Sequence, residues 1–296
     1  MTRRVTFALV AVTLLVGAIL AACGDDSGSS AATTGAGPSP ESGLNIVATE
    51  YKFEVTGTAT GGFQEVTFQN HGKEPHILVP FKLKPGKTSA DALNLLSAQQ
   101  PDPEQIAAVF DGDPNTSFYG TPGLLPPGDS ETTVANFSPG NYVLACFIPA
   151  PNGEPHFALG MLTDLKVGDG TAPAPSTQGT FDITDTAITA PPGVQAGTYA
   201  VTNKGTSPSD FNVIGPTDAH VSDVDAAVND YFGSIGSGET KTFQLPAPLV
   251  AGFSETMPPG VTGYIVVDLA KGRYLIGGNS DDNGNTLVSG EFTVSS

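Results

Sequence analysis

Sulfur and imidazole are scarce in this chain. Its 296 residues hold two cysteines, four histidines and three methionines, and no tryptophan. Charge is scarce too, at 14% of residues, and most of it is acidic: 12 Lys and Arg face 30 Asp and Glu, for a formal charge of −18. Such a surface repels nucleic acid and anionic lipid head groups, so neither is expected as a partner. A cationic protein partner is compatible with it. No Gly-x-Ser-x-Gly, no His-Glu-x-x-His and no phosphate loop occurs, so the common nucleophile, zinc-protease and nucleotide signatures are missing. Glycine (36) and proline (25) are abundant, as in an exported chain built of short strands and turns.

The N-terminus points to a compartment. Arg3 and Arg4 precede an apolar run from Val5 to Ala22, which ends Leu20-Ala21-Ala22-Cys23. The run is short for a permanent span and stops at polar residues, as a signal peptide does. The last four residues look like a bacterial lipobox. The expectation is cleavage before Cys23, acylation of that cysteine, and attachment of the protein to the membrane through lipid on its extracytoplasmic face. Residues 1–22 are then leader and 23–43 a Gly/Ser/Ala/Thr/Pro tether, too poor in apolar side chains to offset the entropy of ordering. Lipidated Cys23 leaves Cys146 as a lone thiol in an oxidising compartment. Bonding to a metal is a good reason for such a thiol to persist.

Four residues supply that metal reading: His76, Cys146, His156 and Met161. Two imidazoles, one thiolate and a weak axial thioether are the donor set of a type 1 copper site. Taken singly, each has an ordinary explanation: a turn histidine, a small buried cysteine, a methionine filling the core. His71 and His220 stand in polar surroundings and read as solvated.

The chain repeats itself. Pro126-Pro127-Gly128 leads through Phe137 and Gly140 to Tyr142, and Pro258-Pro259-Gly260 leads through Leu269 and Gly272 to Tyr274, at an offset of 132. Asn70-x-Gly72-x-x-Pro75 matches Asn203-x-Gly205-x-x-Pro208 at an offset of 133. Two separated matches at nearly one offset indicate duplication of a whole domain. The boundaries expected are 44–168 and 180–296, with 169–179 as linker. The copy has Gly278 where Cys146 stands and Ser209 where His76 stands, so it should bind no copper. Asp281, Asp282, Asn283 and Asn285 read as a turn rather than a calcium loop.

In the first copy, short alternating stretches predict strands over Ile46–Val55, Gln64–Gln69, His76–Leu83, Ser130–Phe137, Asn141–Phe147 and Gly160–Val167. In the second they predict Thr180–Ile188, Gly197–Asn203, Phe211–Pro216, Thr240–Leu245, Tyr264–Leu269 and Arg273–Ile276. Helices are expected at Ser89–Ala98, at Pro103–Phe110 with Asp102 as its cap, and at Ser222–Phe232 with Ser222 and Asp225 as a capping pair. The fold class is all-β: two tandem Greek-key β-sandwich domains with short helical insertions.

The first copy resembles a cupredoxin. The resemblance rests on Asn70-x-Gly72 followed by His76, on Pro139-Gly140-x-Tyr142, and on Cys146, His156, Gly160 and Met161 in that order. It implies one type 1 copper held by His76, Cys146, His156 and Met161, and single-electron transfer with a membrane or exported redox protein. The two-domain layout is similar to multicopper oxidases and copper nitrite reductases. The resemblance also implies that their reaction centres are missing: four histidines are too few for an oxygen-reducing cluster, and Phe147 stands where a histidine would wire a second copper. No enzyme activity is therefore expected. Copper storage, delivery or resistance, and a metal-free surface module, are the alternatives.

Overall fold

The computed structural model describes residues 43–98, 102–112, 120–237, 239, 241–253, 256–279 and 287–295. The leader, Cys23 and residues 281–285 lie outside the described residues. Among the described residues no helix is long and apolar enough to cross a membrane.

The first half begins with β1 (Leu44–Thr49), β2 (Lys52–Thr56) and β3 (Ala59–Asn70). It continues with β4 (Val79–Lys82), α1 (Ser89–Leu96), α2 (Pro103–Val109), β5 (Ser130–Phe137), β6 (Gly140–Ala145) and β7 (Leu162–Ala172). Strand β3 belongs to both layers of a sandwich. Its first residues pair in parallel with β7, and Gly62 to Gln69 pair antiparallel with β5. The switch falls at Gly61-Gly62, where the register shifts and Gly62 has φ of +93°. A Cβ on Gly62 would strike the backbone of Ala172, so glycine alone lets the strands approach this closely. The order β4-β6-β7-β3 makes one layer, while β1, β2 and β5 extend the other from the far part of β3.

Strand β6 shows why this half needs helices. Tyr142 and Leu144 point into the sandwich core with Ile46, Phe68 and Leu125. Val143 and Ala145 point the other way and are buried with Ala92, Leu95, Ile106 and Val109 of the two helices. A strand buried on both faces reads as a continuous apolar run, which is what Tyr142 to Ala145 is. Both helices start as expected: Asp102 accepts from the Gln105 N–H at 2.8 Å, and Thr88 and Asp91 cap each other across the start of α1.

The second half contains β8 (Thr180–Ile183), β9 (Ile188–Thr189), β10 (Gly197–Asn203), β11 (Asn212–Ile214) and α3 (Val221–Ser234). Strands β12 (Leu249–Gly252), β13 (Thr262–Val267), β14 (Gly272–Asn279) and β15 (Leu287–Val294) complete it. The repeat seen in the sequence is a repeat of hydrogen bonds. Asn70 Nδ2 donates to the Glu74 and Leu125 carbonyls, and Asn203 Nδ2 donates to those of Ser207 and Met257. His76 bridges Leu125 as Ser209 bridges Met257. The Tyr142 hydroxyl donates to the Ser138 carbonyl, and that of Tyr274 to the Ala270 carbonyl.

The halves join edge to edge. Thr132 and Thr133 of β5 pair with Val266 and Ile265 of β13, so one layer runs through both halves. Ile214 and Leu249 of the second half are buried in the first half's core, and the Leu249 N–H donates to Asp129.

Several details differ from the sequence expectation. Ile46–Val55 is a hairpin rather than one strand, turning at Glu50-Tyr51 with no Gly, Pro or Asn to mark it. The ladder of β4 starts at Val79, and His76 is a single bridge residue before it. Strand β7 runs on to Ala172, taking in residues 169–172 of the expected linker, because they pair with β3. Residues 241–245 form no strand. Phe243 is instead buried against Tyr231 and Phe232, so packing on α3 satisfies its apolar surface without a ladder. Helix α3 is not capped by Ser222 and Asp225 but starts one residue earlier, where Asp223 accepts from the His220 N–H at 2.7 Å.

At the junction of the halves, Glu131 of β5 is fully buried. One of its oxygens accepts from the Gly123 N–H, and the other has no partner among the described residues. Burial pushes its carboxyl up to about 8, against the Gly123 bond and with help from Asp129. The folded protein then holds a proton that the unfolded chain releases. That stabilisation is complete below the unfolded value of 4.5 and is lost as pH rises through about 8. Melting temperature is expected to fall across this window, and Glu131→Gln to flatten the fall, as read by thermal unfolding across that pH range.

Candidate metal centre

His76 is held by two backbone bonds to Leu125, at 3.1 and 2.8 Å, and Asn70 pins the turn before it. Cys146 follows the last residue of β6. Its N–H donates to the Met161 carbonyl at 3.2 Å, and its carbonyl accepts from Phe157 at 2.8 Å. Between them the loop folds back on itself. The His156 N–H donates to Ile148, and the Met161 N–H donates to the His156 carbonyl, both at 2.9 Å. Backbone bonds rather than side-chain packing therefore fix where the donor groups start.

The donor atoms converge. His76 Nδ1 and His156 Nδ1 lie 3.2 Å apart, and Cys146 Sγ is 3.8 Å from the first and 3.4 Å from the second. A point equidistant from all three lies about 2.0 Å from each; metal–nitrogen bonds are about 2.0–2.1 Å and metal–thiolate bonds about 2.3 Å. All three residues are fully buried, and Cys146 is the free cysteine of the described residues. Met161 is fully buried in the same core cluster as Cys146. Of the sequence-predicted ligands, the structure brings His76, Cys146 and His156 into one group and places Met161 beside them through its backbone bonds. Cys23 lies outside the described residues. His71 and His220 are exposed and are not part of that group.

The electrostatics favour a cation between these atoms. Burial pushes the His76 imidazole down to about 4, with Glu50 opposing, and pushes His156 down to about 3, with His76 adding to the fall. Burial pushes the Cys146 thiol up to about 12, against N–H donors from Ile77 and Ile148. Neutral imidazoles and a protonated thiol in van der Waals contact are a weak arrangement, since lone pairs face each other. A cation would resolve the conflict: the thiol would release its proton to solvent, and the thiolate with both ring nitrogens would hold the ion.

A second tier of residues orients the first, and the sequence reading passed over it. Glu74 Oε2 lies 2.9 Å from His156 Nε2. The imidazole N–H donates there, which leaves Nδ1 as a lone pair facing its partners. The Tyr51 hydroxyl donates to the other Glu74 oxygen at 3.1 Å, and its ring lies 4.7 Å from that of His156. Burial and then the Glu74 carboxylate push that phenol up to about 12. Glu50 accepts from the backbone N–H groups of Lys73 and Glu74 and stands 3.8 Å from His76 Nε2. Burial works to raise the Glu50 carboxyl, but the N–H groups of Lys73, Glu74 and Glu50 itself, with His76, together hold it below its usual range. Gly72 leaves room for this arrangement: a Cβ there would push Glu50 aside and lie 3.0 Å from His76 Nε2. The one available signal was Glu74 two residues before His76. Glu50 and Tyr51 could be placed only by the hidden hairpin.

The second half has the frame without the site. Ser209 takes the place of His76, and Gly278 takes that of Cys146. A Cβ on Gly278 would collide with the Asp210 carbonyl, so no side chain fits there. Asp210 is itself enclosed, and burial pushes its carboxyl up to about 6.

One candidate donor precedes a strand of the first half and the others lie on or beside the loop ahead of its last strand, as the resemblance stated from the sequence implies. Both halves are β-sandwiches built on one frame. The buried His76–Cys146–His156 group suits a single copper site. No protein family's profile matches the sequence, and no curated protein matches it. Among solved structures, the chain is similar to a dithionite-reduced auracyanin from Roseiflexus castenholzii, at 26% identity. That match covers 42% of this chain and 94% of the auracyanin, with a TM-score of 0.28. It is also similar to a multicopper oxidase, at 13% identity over 85% of this chain and 88% of that one, with a TM-score of 0.22. A copper nitrite reductase from Nitrosomonas europaea matches at 10% identity over 85% and 93%, with a TM-score of 0.23.

Because the Gly278 position is closed by backbone, Gly278→Ala is expected to destabilise the fold by about 1–3 kcal/mol. The double change Ser209→His with Gly278→Cys should create no second metal site. Thermal unfolding and metal stoichiometry check the two outcomes.

Proposed function

We propose that this chain is a type 1 copper protein that transfers single electrons, held on the extracytoplasmic face of the membrane by lipid on Cys23. The observation that carries the metal part is the convergence of two Nδ1 atoms and one Sγ in a buried triangle of 3.2, 3.4 and 3.8 Å. A trigonal His2Cys set with a methionine alongside is the arrangement copper favours, whereas structural zinc sites use four N, S or carboxylate donors. His76, Cys146 and His156 would hold the metal, with Met161 as a weak axial donor. Bound there, copper supplies a one-electron redox couple.

The chain's own residues support that use. The donor atoms hang from backbone-bonded turns, so they keep their positions whichever charge they enclose. Full burial of both imidazoles and of the thiol excludes water, which lowers the reorganisation that accompanies electron transfer. Glu74 fixes the ring of His156 and places negative charge beside it, which favours the more highly charged metal. The lipid anchor is supported by Leu20-Ala21-Ala22-Cys23, and a redox protein of complementary, cationic surface is the partner that the acidic composition favours. No reaction centre for oxygen or nitrite is assigned. Copper storage or delivery is the second reading, favoured by the depth of the site.

Adding Cu(II) to the purified protein should give an intense visible band from thiolate-to-copper charge transfer, which Cys146→Ser abolishes. Tight Cu(I) binding without that band would favour storage, and no binding at all would end the copper reading. Met161→Leu should keep the colour and shift the reduction potential. Glu74→Gln should weaken copper about 10–100-fold, measured by competition with a chelator, and raise the potential.

A further inference from the structure

The second half has lost its own donors, yet it reaches the donors of the first. Helix α3 carries Val224, Val228, Tyr231 and Phe232 at helical spacing on one face. Val224 and Phe232 pack against the first half's core cluster, the one that holds Cys146 and Met161. Tyr231 is 3% exposed, and its ring makes edge contacts with Phe232 at 5.2 Å and Phe243 at 5.1 Å. Its hydroxyl is buried with no hydrogen-bond partner among the described residues. The charges that act on that hydroxyl all belong to the metal centre: Glu74 first, then Tyr51, Cys146 and Glu50. Just past the helix, the Gly236 N–H donates to the carbonyl of Pro151, in the loop between Cys146 and His156.

These facts have one common geometry. Helix α3 packs on the first sandwich through Val224 and Phe232, and the chain just past it is bonded to the loop that carries His156, so Tyr231 stands on the face turned to the donor end. A buried phenol without a hydrogen bond is destabilising, and Tyr231 bears that cost on the helix face that meets the first half. His156 stands on a loop, where side chains are ordinarily solvated, and it is nevertheless fully buried.

We propose that the second half is the lid of the metal centre, with Tyr231 as the plug that determines which molecules reach Cys146 and the two histidines. A lid of this kind denies small thiol reagents and competing chelators a path to the donors. It also keeps a redox partner from touching an imidazole edge directly. The inference rests on the donor group being the working site of the protein, as proposed above. Its test uses no metal, so the two readings fail separately.

In a Cys23→Ser background of the full chain, Cys146 is the only thiol. The metal-free protein is mixed with the neutral disulfide reagent dithiodipyridine under native conditions, and the rate of thiol modification is followed. The parent should react slowly. Tyr231→Ala should react at least about tenfold faster, as expected when a closed region becomes locally open. Tyr231→Phe, which keeps the ring, should react at the parent rate. Val224→Ala, which loosens the seat of α3 without removing the plug, should fall between them and serves if Tyr231→Ala fails to fold. Parent-like rates in both Tyr231→Ala and Val224→Ala overturn the lid, as does fast reaction in the parent. Equal acceleration by Tyr231→Phe and Tyr231→Ala overturns the role of the ring.

Discussion

Three metal-ligating atoms converge at one point in the protein interior. Two imidazole nitrogens and a thiol sulfur approach within 3.8 Å, sealed from water, and burial drives all three groups toward their neutral forms. Much around them follows from that constraint. Their positions are set by backbone bonds, because side-chain packing alone would let mutually repelling groups drift apart. Carboxylates stand behind the rings, Glu74 bonded to one and Glu50 near the other, so that the unused ring nitrogens face acceptors instead of hydrocarbon. Gly72 is bare because those groups crowd its α-carbon.

Duplication supplied two copies of the frame, and divergence gave them different work. The Asn–turn–bridge device and the tyrosine at the following corner survive in both. They hold the sandwich together and have nothing to do with donor chemistry. The donor positions did not survive. In the second half, the Asp210 backbone closed over Gly278, which leaves no volume for a thiol to return. The second half contributes a strand edge, two core side chains in Ile214 and Leu249, and a helix that packs on the first half's core through Val224 and Phe232.

The sequence showed the outline of the fold because duplication and strand patterning are local signals. Pro-Pro-Gly, Gly-x-Tyr and Asn-x-Gly recur at nearly one spacing, and each marks a turn conformation. Two helix starts were legible for the same reason. Errors arose where a neighbour settled the structure. The hairpin at Glu50-Tyr51 has no turn residue, and only the parallel pairing of β1 with β3 separates it from a continuous strand. Phe243 looked like strand material, but its burial is satisfied by α3.

By itself the sequence singled out the candidate donors, since scarcity made His76, Cys146, His156 and Met161 conspicuous, and it showed Ser209 and Gly278 at the matching positions of the second half. A residue's chemistry is written in its identity, so that much needs no coordinates. The tertiary structure decided which groups serve those donors: Glu74 from two residues away, Glu50 and Tyr51 from an unmarked turn, and Tyr231 from the other half. Such contacts depend on how the layers close over one another, as across the 82 positions that separate Glu74 from His156. No short-range pattern encodes a distance of that kind.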